Sequence, residues 1–176
     1  MANETYGKFL YGLRDLKVTN IGGTVQEDLD AAQTLTFSPT FSSAELRGDD
    51  VIKVSMGSLS GGTAAISAGG YSSAAVAIMF GKTLSQSGTT PNEITTLQLN
   101  AGDVMPYFKV YGLARDEAGG DVHVLLPKCK VTGWGGIDFS DENWFVNSVD
   151  VQCLDDGSNG VVKIIQHETT TALPTS

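Results

Sequence analysis

The chain has 176 residues, with 20 acidic and 11 basic side chains and a formal charge of −9. That length suits one domain able to bury a core without disulfides or metal. The charge argues against a nucleic-acid-binding surface, because phosphate contacts need clustered Lys and Arg. Residues 1–88 carry 6 basic and 8 acidic side chains, and residues 89–176 carry 5 and 12, so the acidity is concentrated in the second half. It serves solubility, or it marks a surface that lies near a polyanion without sticking to it; composition does not separate the two. Many Gly, Ser and Thr among the aliphatic residues favour strands and turns over long helices.

In chain order, residues 1–13 read as a polar and aromatic arm, with Tyr6, Phe9 and Tyr11 spaced by Gly7 and Gly12. The opening Met1-Ala2-Asn3-Glu4 lacks a basic region followed by an apolar run, so no signal peptide is expected. A strand is expected at about 15–21, where Leu16 and Val18 alternate with Lys17 and Thr19, followed by an acidic loop over 22–32. A second strand at about 33–38 alternates Leu35 and Phe37 with Thr34 and Thr36, and Pro39 ends it. Residues 40–50 read as a loop, with one helical turn available at Ser42–Leu46. A third strand at about 50–56 places Ile52, Val54 and Met56 on one face and Lys53 on the other. Residues 57–70 are glycine-rich, with room for a short strand at Thr63–Ser67.

One helix is expected, at about 72–80. Ser72 or Ser73 caps its start, Ala74 to Phe80 are apolar, and Gly81-Lys82 stops it. Being apolar nearly all round, it must pack against sheets. A polar loop over 85–93 leads to three long strands at about 104–115, 120–132 and 143–154, and a last strand follows at about 160–167. The Thr-rich 169–176 reads as an arm or a disordered tail. The strand through Tyr107–Leu113 is apolar on both faces, with Phe108 and Val110 on one and Tyr107, Tyr111 and Leu113 on the other. A strand apolar on both sides must be covered on both sides. Neighbouring subunits are the natural cover for so short a chain, which points to an assembly protein. The expected fold is mainly β, a β-sandwich or barrel with one short flanking α-helix, and with 14–168 as its domain.

The search for chemistry finds no catalytic constellation, and neither cofactor nor metal is expected. Gly81-Lys82-Thr83 resembles the end of a phosphate-binding loop, but Val76 stands where that loop needs glycine, and the pair follows the helix instead of opening it. His123 and His167 lie in separate strands without a second ligand at metal spacing, which suits solvent-facing or interface histidines. Asp138, Ser140 and Glu142 loosely suggest a calcium loop, yet Asn143 occupies the position of the required glycine. Asp155–Gly160 reads as a hairpin turn. Cys129 and Cys153 fall several residues out of register if their strands turn near 137–141, so a disulfide is possible but not implied. Trp134 and Trp144 flank that turn, as hairpin packing or as interface anchors. No stretch reaches the length of a membrane span.

The order of these features resembles the major tail (tail tube) proteins of long-tailed bacteriophages. The features that carry the resemblance are Tyr11-Gly-Leu-Arg-Asp-Leu-Lys-Val18, the strand into Pro39, and Glu45-Leu-Arg-Gly-Asp-Asp50. With them come the helix closed by Gly81, the strand opened by Met105-Pro-Tyr-Phe108, and the paired strands over about 143–167. It spans roughly residues 10–168. The resemblance implies a β-sandwich whose strands complete an intersubunit barrel, in homohexameric rings or trimeric pseudo-hexamers. The rings stack into a tube with an acidic lumen, through which DNA leaves without specific binding. It implies a virion location, with tail tip, tail terminator and tape measure proteins as further partners. Related folds build secretion inner tubes. On this reading Glu45, Asp49 and Asp50 are candidates to face the lumen. Tyr6, Phe9, Tyr11, Leu46, Arg47 and Leu59 are candidates for contacts between rings, and Tyr107, Tyr111 and Leu113 for the lateral interface.

Overall fold

The computed structural model describes residues 10–48, 50–117, 119–137, 139–141 and 144–174. Among the described residues ten strands and one helix follow in the order β1 (Leu10–Asn20), β2 (Gln26–Asp28), β3 (Ala32–Gly48), β4 (Val51–Gly69), α1 (Ser73–Phe80), β5 (Ser85–Ser87), β6 (Ile94–Thr96), β7 (Phe108–Asp116), β8 (Asp121–Trp134), β9 (Val146–Cys153) and β10 (Lys163–His167). Apart from the small β5–β6 ribbon, the strands join one antiparallel sheet in the order β2-β1-β7-β8-β9-β4-β3, with β10 also pairing β8. The fold is mainly β, as composition and alternation require.

The sheet curls so that β3 lies over β7. A Cβ on Gly112 of β7 would come within 2.5 Å of the Leu35 side chain on β3, so the two layers are in close contact at this crossing. Between the two layers sit Leu16 and Val18 of β1, Phe108 and Val110 of β7, Leu126 of β8, Val149 and Val151 of β9, and Ala64 and Ile66 of β4, all buried. Each strand contributes alternate residues, the period-2 rule of a pleated sheet.

The helix is framed as its sequence predicts. Ser72 Oγ accepts the Ala75 N–H at 3.2 Å, and Gly81 takes the left-handed conformation at φ 66°. The Gly81 and Lys82 N–H groups then donate to the Ile78 and Ala77 carbonyls, closing the last turn. Ala75, Val76, Ala77, Met79 and Phe80 are buried, and Phe80 meets the Trp134 ring edge-on at 5.3 Å.

Three expectations are corrected. Residues 40–48 are not a loop with a helical turn but the outer part of β3, and the short strand expected at Thr63–Ser67 is part of β4, which runs through the glycine-rich stretch to Gly69; the two form one long hairpin, paired from Ala32↔Ala68 out to Gly48↔Val51. Register shifts at Thr40/Phe41 and Leu46/Arg47 absorb its irregularities. Gly62 serves close packing, since a Cβ there would meet the Phe37 ring at 2.4 Å. Residues 10–13, read as part of an arm, already belong to β1, with Leu10 opposite Asp116.

The third correction concerns residues 169–174, which are neither a free arm nor a disordered tail. Asp121 Oδ2 accepts the Thr171 N–H, His123 Nε2 meets the Thr171 carbonyl at 3.0 Å, and Gln26 Nε2 donates to the Pro174 carbonyl at 2.9 Å. Leu173 is buried. This strap crosses the outer face of the sheet from β8 toward β2, on the side that carries Leu113 beside His123. The second apolar face of β7 is therefore partly covered by the chain itself.

Candidate functional site

The most distinctive surface is the outer half of the β3–β4 hairpin. β9 pairs with β4 only from Gly62 to Gly69, so beyond that point β3 and β4 have each other alone. Ten residues of strand span about 33 Å, and over Val51–Ser60 every residue is exposed. A lone two-stranded ribbon is at best marginally stable in water. This one also displays large apolar side chains: Phe41 is 68% exposed, Met56 71%, and Leu46, Val54 and Leu59 are exposed with them. Pairing sets the faces. Leu46 lies opposite Val54 and Ala44 opposite Met56 on one side, while Phe41 opposite Leu59 and Glu45 opposite Ser55 share the other. Ser42 and Ser58 join by their hydroxyls at 2.8 Å.

The residues singled out from the sequence fall in three places. Glu45, Leu46, Arg47, Asp50 and Leu59 all lie on this ribbon or its turn, where Arg47 Nη2 contacts Glu45 Oε2 at 3.1 Å and Asp50 takes φ 61°. Tyr11 is exposed on β1, at the far end of the sheet order from the hairpin. Of the lateral candidates, Tyr107 is exposed, Tyr111 is half-buried, and Leu113 is only 5% exposed and thus not an open surface. Burial pushes the Tyr111 phenol up. Tyr6, Phe9 and Asp49 lie outside the described residues.

No protein family's sequence profile matches this chain, and no curated protein matches it.

Groups with chemical potential are absorbed into structure. Lys82 pairs with Asp103, whose carboxyl is held below its usual range first by that lysine and then by the Asn100 N–H. Among the described residues no cluster of three or more His, Cys, Asp or Glu could hold a metal ion. None of the described helices is long and apolar enough to cross a membrane. The histidines depart from expectation: β10 pairs beside β8, bringing the His123 and His167 rings to 4.5 Å, and His123 is buried. The cysteines depart too. Cys129 and Cys153 are directly opposed across β8 and β9, both buried as free thiols with sulfurs 3.4 Å apart. Sharing a hydrogen bond with Cys153, and then burial, push the Cys129 thiol up, so it is a poor nucleophile.

Asp156 organises the 155–160 turn. The Asn159 side-chain amide, then the Asn159 and Ser158 N–H groups, hold its carboxyl down to about 2. A depressed carboxyl contributes stability in full above its unfolded value of about 3.9, and loses it as pH falls through the folded value. The Asp156 carboxyl carbon should titrate near pH 2 by NMR, and Asn159→Ala should move that midpoint up toward about 3.9. An unmoved midpoint would remove Asn159 as the cause.

Proposed function

We propose that this chain is the structural subunit of a bacteriophage tail tube, self-assembling into stacked rings around a channel for DNA. The observation that carries the reading is the projecting hairpin. It is a two-stranded ribbon with open edges and apolar side chains on both faces, a form that is costly unless another copy covers it. Support also comes from the mainly β fold with one buried flanking helix and from the net negative charge. In a tube, an acidic lumen repels phosphates, so the polymer slides without the counterion release that would hold it in place. Glu45 and Asp50 on the hairpin remain the candidates for that surface.

Electron microscopy of the purified protein over a rising concentration series tests the reading. Rings, and tubes built from them, are the expected result. A chain that sediments as a monomer throughout the series overturns it.

A further inference from the structure

We propose that Cys129 and Cys153 are a cross-strand dithiol that hydrogen peroxide closes to a disulfide, a modification site that staples two parts of the sheet together. The site belongs to the single chain and does not depend on the assembly reading. This sequence holds two cysteines, so neither has another cysteine to pair with inside it. They face each other across β8 and β9, both fully buried, with sulfurs 3.4 Å apart. The Leu154 N–H donates to the Lys128 carbonyl at 2.9 Å, one residue outside the pair on each strand. That bond marks Cys129 and Cys153 as a non-hydrogen-bonded pair, the antiparallel position where Cα atoms come closest, at about 4.5 Å. A disulfide accepts Cα separations of about 4.4–6.8 Å, so the bond forms within the existing register. Among the described residues no group of three or more His, Cys, Asp or Glu could hold a metal ion, which leaves these two sulfurs to react with each other.

The two sulfurs are unequal. The hydrogen bond shared with Cys129 holds the Cys153 thiol below its usual range against the opposing effect of burial, whereas the same bond and then burial push Cys129 up. Cys153 is therefore the nucleophile and Cys129 the resolving thiol. In the first step the Cys153 thiolate attacks one peroxide oxygen and the O–O bond breaks. Cys153 becomes a sulfenic acid, and the expelled hydroxide takes the proton that Cys153 gave up and leaves as water. In the second step the Cys129 sulfur attacks the Cys153 sulfur and the S–O bond breaks. The Cys129 proton leaves with that hydroxide as a second water. The two thiols together give up two electrons, and one peroxide is reduced to two waters. Hydrogen peroxide is scarcely larger than water, so a brief local opening admits it to a buried pair. The position gives the bond its effect. In the order β2-β1-β7-β8-β9-β4-β3, the β8–β9 seam divides four strands from three. Its ladder runs from Cys129↔Cys153 to Trp134↔Val149, so the pair sits at one end, where fraying starts. A covalent link there keeps β9, and the hairpin paired to it through β4, from peeling off β8.

The test uses the full-length chain, reduced, freed of reductant and then exposed to hydrogen peroxide at neutral pH. The expected product in non-reducing peptide maps is a linked pair of peptides containing Cys129 and Cys153, lighter than the reduced pair by two hydrogens. Its formation should raise the melting temperature by roughly 5–15 °C, the effect of closing a loop of this length in a domain of this size. Dithiothreitol should reverse the rise. Cys153→Ala, treated in the same way, should show no rise, which separates the bond from oxidation of methionines. Cys129→Ala should hold the sulfenic acid on Cys153, where dimedone traps it. Maps in which both thiols survive peroxide, or end as sulfinic acids without a linked peptide, overturn the site. A linked chain that melts no higher than the reduced one overturns its stapling effect. A dimedone adduct on Cys129 of Cys153→Ala, with none on Cys153 of Cys129→Ala, overturns the assigned roles.

Discussion

Replacing residues 43–57 with an Asn-Gly pair should abolish assembly while leaving a folded, soluble chain. Ser42 and Ser58 face each other across the ribbon, so a two-residue turn joins them in register. Nothing in the core is lost, because its β3 and β4 members begin closer to the sheet, at Leu35, Phe37, Ala64 and Ile66. The melting temperature should therefore move by no more than about 3 °C. The excised segment carries Leu46, Val54 and Met56, and burying any one such side chain is worth about 1.5–3 kcal/mol. Losing two at each contact raises the assembly concentration by roughly 100-fold or more. Analytical ultracentrifugation reads that threshold directly. Particles of parental length from the shortened chain would show that the ribbon plays no part in joining copies.

The largest effect on stability should come from Phe108→Ala. Phe108 is fully buried at the start of β7 and belongs to the cluster where both layers meet. Removing a buried phenyl ring costs about 3–5 kcal/mol, lost transfer free energy plus the cavity left behind. That is a large part of the about 5–15 kcal/mol that a domain has in total. Phe41→Ala is the matched control, since the same ring on the ribbon is mostly in water, and its cost to the monomer should stay within about 0.5 kcal/mol. In assembled material the order should reverse, with Phe41→Ala weakening association and Phe108→Ala failing earlier, at folding. Urea midpoints of the two monomers check the contrast. Equal shifts would mean that the ribbon is buried within the isolated chain.

Much of this architecture is legible in the residues, and the rest is hidden for identifiable reasons. The helix is readable because its signals are local: Ser72 and Gly81 act within a turn of the backbone they cap. The strands β1, β7 and β8 are readable because one face meets a core and imprints alternation on the sequence. The outer part of β3 leaves no such imprint, although Ile52, Val54 and Met56 mark the facing stretch of β4. A ribbon exposed on both faces has no apolar side to set a period, and Ser, Gly and Ala blur what remains, so Phe41–Gly48 looks like loop. The register of Cys129 is not legible in the sequence because the turn centre lies further along the chain and a bulge at Gly133 shifts the pairing. The ring cluster of Tyr71, Phe139 and Phe145 is not legible in the sequence. Trp144 reads from the sequence as an anchor candidate, but the contact of its neighbour Phe145 with Tyr71 joins residues more than seventy positions apart.

The strap formed by residues 169–174 has a consequence for biosynthesis. β1 waits for β7, roughly a hundred residues later, and the outer face around Leu113 and His123 waits longer still, for Thr171 and Leu173. A ribosome translating this message thus holds open, unfinished sheet until almost all of these residues have emerged. Premature joining of neighbouring nascent chains is then the chief hazard, and the segment from Thr171 to Pro174 doubles as a seal.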